Sequence, residues 1–164
     1  MIGGRLLALF RDVRHAVSAA RAGRDPGRDL AWIAWLVLWR VGLRALKHVV
    51  PLPVLVRAVC RTAAPARGGG ALRRQLTSEW FARGSVMLPG NCLERSLLVH
   101  ATWASASAPT RLVFGFRRRG GSTQGHSWVM SDGALLLEAP GAIEGFQPAC
   151  SFDPTGARAV AGLL

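Results

Sequence analysis

Cys92 stands at the start of a helix-like run, Gly90-Asn91-Cys92-Leu93-Glu94-Arg95-Ser96-Leu97-Leu98, and thirty-four residues later His126 stands in the strand-like segment Gly125-His126-Ser127-Trp128-Val129. A thiol and an imidazole in this order point to nucleophilic chemistry. Cysteine attacks as its thiolate, and both a helix N-terminus and an adjacent imidazolium stabilise that anion. If Leu93, Leu97, Leu98 and Ala101 pack inward, the cysteine is left at the helix tip. The unpaired N–H groups there could also donate to an oxyanion.

The chain has four histidines. His100 is eight residues along the same helix, about 12 Å up its axis at 1.5 Å per residue, too far to serve a sulfur at the tip. His15 and His48 sit in basic, helix-like N-terminal stretches, where surface roles suffice. His126 remains as the base. Strand alternation puts it on one face with Trp128 and Met130.

A third member follows from turn chemistry. If Ser131-Asp132-Gly133 is a three-residue hairpin loop with glycine in the left-handed position, Met130 faces Ala134 and Glu138 falls opposite His126. Glu138 would then orient the imidazole and stabilise its cation. With a two-residue Asp132-Gly133 turn, His126 faces Ala139 and Glu138 points to the other face. Asp132 reads as a turn residue in either register.

These groups need elements to hold them. Beyond Pro89 the pattern predicts a helix from Cys92 to about Ala104 and strands at 111–117, 125–130 and 134–138. Upstream the chain is helical in pattern. Ile2, Leu6, Phe10, Val13, Val17 and Ala20 recur on one helical face; Asp29 is a plausible N-cap for a second helix running to about Val49; a third spans 52–63 with Pro53 in its first turn. A fourth runs from Ala71 to about Phe81. Trp32, Trp35 and Trp39 form one stripe, which reads as core packing. Residues 64–70, with three consecutive glycines, form a linker. The fold class is therefore α+β, divided into a helical region over 1–70 and a helix-plus-antiparallel-sheet domain over 71–164.

Composition sets the outer bounds. In 164 residues, 50% are hydrophobic and 18% charged, which excludes disorder and allows one core of ordinary size. The net charge of +12 predicts a surface attractive to polyanions or an acidic peptide, although most of it reads as solvated basic surface. Arg117-Arg118-Arg119-Gly120-Gly121 suits a hairpin tip that keeps its charges in water, or a phosphate grip. Three irregularly spaced cysteines without a CxxC pair indicate neither a disulfide framework nor a thiolate zinc site, and fit a reducing cytoplasm. Cys60, among apolar neighbours, reads as a buried small hydrophobe, and Cys150 has no visible partner. Arg11 ends the first apolar run too early for a signal peptide. The apolar stretch from Leu30 to Trp39 is about half of what a bilayer span needs, so a buried helix is expected and membrane association is not predicted.

The segments Cys92-Leu93-Glu94-Arg95-Ser96-Leu97, Leu112-Val113-Phe114-Gly115-Phe116-Arg117 and His126-Ser127-Trp128-Val129 resemble the C-terminal domain of lasso-peptide maturation proteases, leader peptidases of the microcin-processing type. That family is built on the transglutaminase-like cysteine-protease fold, related to papain. The resemblance covers about Pro89 to Pro140. It implies Cys92 as nucleophile, His126 as base and then acid, and Glu138 as the acidic member of a catalytic triad. Ser127 stands where the family usually has alanine, Met130 where it has an acid, and Glu138 where aspartate is commoner. No cofactor and no metal site are implied. The implied partners are the precursor peptide with its leader, a separate leader-recognition protein, and an ATP-dependent lasso cyclase; no nucleic acid is expected. Two other readings stand beside this one: a thiol acyltransferase or amidase on the same scaffold, and a non-catalytic basic adaptor for anionic membrane or nucleic acid.

Overall fold

A computed structural model of the protein describes residues 26–63, 70–84, 91–104, 109–139 and 141–160. The helix expected over the first twenty residues and linker residues 64–69 lie outside the described residues. The fold is α+β, as the patterning predicts. Among the described residues, four helices, α1 (Pro26–Leu46), α2 (Leu52–Ala63), α3 (Gly70–Gly84) and α4 (Cys92–Ala104), precede five strands, β1 (Thr110–Arg119), β2 (Ser122–Ser131), β3 (Ala134–Leu136), β4 (Gln147–Phe152) and β5 (Arg158–Val160).

α1 begins at Pro26, three residues before the expected cap at Asp29. Proline suits that first helical position, because its missing N–H would have no intrahelical partner and its φ is already helical. Trp32 donates from Nε1 to Thr77 Oγ1 at 3.1 Å, while Trp35 and Trp39 both donate to Thr62 Oγ1 at 3.2 and 2.9 Å. The tryptophan stripe is thus core packing of α1 against α2 and α3, with each indole N–H satisfied. The opposite face of α1 is open: Leu38 and Val41 are 72% and 57% exposed, so this helix is half-buried rather than enclosed. Among the described residues, no helix is long and apolar enough to cross a membrane.

α2 buries Leu55, Val56, Val59, Cys60 and Ala63, a stripe at helical spacing. α4 is different, since Glu94 and every residue from Ser96 to Thr102 are buried. A helix buried nearly all round must be enclosed by other elements. Here α4 has the other three helices on one side and the sheet on the other, with Leu97, Leu98, Val99 and Ala101 joining one core to Trp32, Leu55, Leu112, Val129 and Phe152.

The sheet is antiparallel in the order β3-β2-β1-β4-β5. Gly120 and Gly121 turn the β1–β2 hairpin at φ 57° and 79°, so the arginine run 117–119 lies at a hairpin tip as expected. β1 and β4 shift register between Phe114 and Gly115, leaving Ala149 as a bulge. β4 and β5 were not expected from the sequence. Leu112, Phe114, Val129, Leu136, Cys150 and Phe152 pack against the helical core. Strand alternation then sets Val113, Gly115, His126 and Trp128 on the other face.

Candidate active site

Cys92 is the first residue of α4, and Asn91 caps it: the side-chain Oδ1 of Asn91 accepts the Glu94 backbone N–H at 3.1 Å. This is the N-cap geometry favoured by asparagine, and it leaves the N–H groups of Cys92 and Leu93 without intrahelical partners. Cys92 itself is half-buried and free. Its sulfur therefore sits at the positive end of the helix beside two unused donors.

Glu94, in the first turn of α4, is turned inward and only 2% exposed. Lys47 Nζ donates to Glu94 Oε1 at 2.6 Å, and Arg40 Nε lies 3.9 Å from Oε2. Burial holds the Arg40 guanidinium below its ordinary pKa, with Glu94 opposing that shift and Arg44 and Arg95 adding to it. A buried charge persists only where it is paired, so α1 and the turn after it fix the first turn of α4.

One turn beyond Cys92, two side chains tie α4 to the sheet. Ser96 Oγ donates to the Ser127 carbonyl at 2.7 Å, next in sequence to His126. Arg95 Nη2 donates to the Leu137 carbonyl, next in sequence to Glu138, and Nη1 lies 4.0 Å from Glu138 Oε2. Positions three and four along a helix share a face with the first. Cys92 consequently lies on the same side of α4 as Arg95 and Ser96, about 5 Å nearer the tip.

His126 Nε2 is 3.8 Å from Glu138 Oε2, a buried nitrogen with no direct hydrogen-bond partner. Its ring lies near two aromatic neighbours, with centroids 6.1 Å from Trp128 and 5.2 Å from Phe146. Gly115, opposite His126 in the register, is what lets Trp128 lie there; a Cβ at residue 115 would come within 2.6 Å of Trp128 Cη2 and 2.8 Å of the Gln147 carbonyl oxygen. Arg117 stacks over Phe146 with its guanidinium carbon 4.3 Å from the ring centroid.

The route by which Glu138 reaches His126 differs from the three-residue loop. Asp132 and Gly133 both take positive φ, 49° and 76°, forming a two-residue type I′ turn that pairs Ser131 with Ala134 and Met130 with Leu135. This turn wins because its twist matches that of the flanking strands. Continued regularly, the register would point Glu138 away from His126. β3 instead stops at Leu136, and Leu137 adopts φ 52°. A left-handed leucine costs about 1–2 kcal/mol, and here it redirects the chain so that the Glu138 carboxylate meets the imidazole.

The structure thus brings His126 and Glu138 together and sets Cys92 one turn from the contacts made by Arg95 and Ser96; no hydrogen bond joins Cys92 to His126. Asp132 stays at the turn. His100 is fully buried, and burial lowers its pKa to about 4 against the pull of Asp153. Cys60 is buried too, its thiol pushed up to about 12 by burial and then by Asp153. Sequence reading missed Arg95, Phe146 and Gly115. The spacing of Arg95 from Cys92 was the available signal for the first; the other two depend on long-range packing. A concavity of about 470 Å³ lined by Thr110, Arg111, Met130, Asp132 and Asp153, among others, contains none of the three proposed catalytic residues. Among the described residues, no cluster of histidine, cysteine and acidic side chains could hold a metal ion.

The model of the family described as the Transglutaminase-like superfamily matches residues 33–151, a stretch that includes α2, α3, α4, β1, β2 and β3 with most of α1 and β4. No curated protein and no solved structure matches the chain. Proteins of this superfamily are generally cysteine-dependent enzymes, typically proteases or acyltransferases. With a capped helix-tip cysteine followed by an antiparallel sheet bearing a histidine–glutamate pair, this chain belongs to the transglutaminase-like superfamily.

Proposed function

We propose that the protein is a cysteine peptidase that removes the leader from a ribosomally made lasso-peptide precursor, with Cys92, His126 and Glu138 as its triad. The observation that carries the proposal is the 3.8 Å approach of Glu138 Oε2 to His126 Nε2, with Arg95 of the first turn of α4 lying 4.0 Å from the same carboxylate oxygen. With Nε2 facing the carboxylate, Nδ1 is the ring nitrogen left for proton transfer, and the reaction requires Cys92, on the α4 side of the sheet, to reach it. The leader-peptidase assignment is supported by the resemblance of the segments around Cys92, Leu112 and His126.

In the proposed reaction the Cys92 thiolate attacks the carbonyl carbon of the amide joining leader to core. The negative oxygen of the tetrahedral intermediate takes hydrogen bonds from the free N–H groups at the tip of α4. Collapse breaks the C–N bond, the His126 imidazolium gives its proton to the departing core amine, and the leader remains as a thioester on Cys92. Imidazole then removes a proton from water as it attacks the thioester, releasing the leader carboxylate and restoring the thiolate. The reaction occurs in the cytoplasm and is fed by a separate recognition protein that presents the leader; the freed core passes to an ATP-dependent cyclase.

The test combines the purified chain with the precursor and recognition protein encoded beside it, and follows leader release by mass spectrometry. Cys92→Ala should abolish release and leave partner binding intact. Full cleavage by that variant would refute the proposal. Transfer of the leader acyl group to an added amine in place of water would assign the same thioester chemistry to an acyltransferase.

A further inference from the structure

We infer that Arg95 is a positioning residue for the catalytic site, holding Glu138 against His126 by fixing the left-handed turn at Leu137. This inference rests on the triad reading. Glu138 is not delivered by sheet register, because β3 ends two residues earlier and a regular continuation would turn its carboxylate away. Delivery depends on Leu137 at φ 52°. Leucine has no side-chain polar group with which to support that conformation locally, in contrast to the asparagine or aspartate usually found there.

The support comes from α4. Arg95 Nη2 donates to the Leu137 carbonyl, and Nη1 of the same guanidinium lies 4.0 Å from Glu138 Oε2, the oxygen that also faces His126. The guanidinium is itself braced by the Phe81 ring of α3, with its central carbon 5.7 Å from the ring centroid. One planar fork thus spans the carbonyl of the strained residue and the carboxylate of the next. Arg95 is also three residues from Cys92 on the same helix. The arginine therefore couples the position of the nucleophile's helix to the position of the acid that orients the base. Lysine carries the same charge but no fork, so charge and geometry can be separated.

The experiment reads Cys92 directly. The rate of Cys92 alkylation by iodoacetamide at pH 7 is followed by peptide mass spectrometry in the wild type, Arg95→Met, Arg95→Lys, Glu138→Gln and the Arg95→Met/Glu138→Gln pair, beside kcat and KM for leader release. Arg95→Met should slow alkylation about tenfold and lower kcat more than it alters KM. Arg95→Lys should behave like Arg95→Met, and the double variant should be no worse than Glu138→Gln alone. An alkylation rate and kcat that persist unchanged in Arg95→Met overturn the inference and leave the triad standing. Wild-type behaviour of Arg95→Lys overturns it in favour of a charge effect. A Glu138→Gln variant with the wild-type alkylation rate and kcat refutes the triad and the inference together. Should Arg95→Met not fold, Arg95→Lys decides between the same outcomes.

Discussion

Replacing Gly115 with alanine adds one methyl group at the centre of the sheet. An ideal Cβ there lies 2.6 and 2.9 Å from Trp128 Cη2 and Cζ3, and 2.8 Å from the carbonyl oxygen of Gln147. Contacts this short must be relieved. The indole cannot simply swing away, since Trp128 is 3% exposed and Phe146 packs beside it at 6.4 Å between centroids. The Gln147 carbonyl belongs to β4, where Gln147 pairs with Phe116 next to the bulge. Relief therefore moves the ring that lies beside His126, the backbone of β4, or both. Overpacking of this kind costs about 1–3 kcal/mol. For a chain of this size each kcal/mol lowers the melting temperature by about 2–4 °C.

Gly42 provides the matched control. A Cβ there meets nothing closer than Leu46 Cδ1 at 3.7 Å, within α1. Gly42→Ala should raise stability by about 0.5–1 kcal/mol, the ordinary gain for alanine over glycine inside a helix. Calorimetry of the two variants beside the wild type gives the sign of each change. Gly115→Ala should also slow leader release, because the displaced indole no longer confines the imidazole. If Gly115→Ala melts with the wild type or above it, Trp128 is not held where the packing puts it and the account of His126's surroundings fails.

Other expectations follow from the buried charges and thiols. Lys47→Met should cost up to about 3 kcal/mol by denaturant unfolding, the low end for breaking a buried pair, because Arg40 stays close to Glu94; an unchanged midpoint would show that the pair contributes nothing. His100, held at about 4 against an ordinary 6.5, is protonated in the unfolded chain before the folded one. Stability should therefore fall as pH drops from about 6.5 to about 4, by on the order of 3 kcal/mol when complete, and the difference in unfolding free energy between wild type and His100→Leu should carry that slope. A pH-independent difference would contradict the burial argument. Iodoacetamide at pH 7 should label Cys92 and spare Cys60, whose thiol is pushed up to about 12, as read by peptide mass spectrometry; equal labelling would contradict both assignments.

The elements with strong local signals are legible in the amino-acid pattern. α2 and α4 begin and end where their apolar stripes and flanking prolines indicate. β4 escapes because its two exposed leading residues, Gln147 and Pro148, hide any alternation, and its pairing with β1 supplies what local pattern does not. In the site, the helix-tip cysteine and the strand histidine are visible because each depends on one element. The meeting of Glu138 with His126 is visible only in outcome: it is made by an irregular Leu137 backbone, which no periodicity encodes. Arg95 and Phe146 belong to the same class, since their contacts cross the sequence by forty-two and twenty residues.

The inward-turned Glu94 constrains how the molecule comes together as well as how it stands. A carboxylate entering a site that is 2% exposed must find Lys47 and Arg40 already there, or arrive with them. Docking α4 onto the sheet without α1 would strand that charge in the interior, so a half-assembled state with the sheet and α4 complete is disfavoured. The helical layer and the sheet layer should form and unfold in one cooperative step. Tryptophan fluorescence, reporting from both the helices and the sheet, and far-ultraviolet circular dichroism should show a single coincident transition.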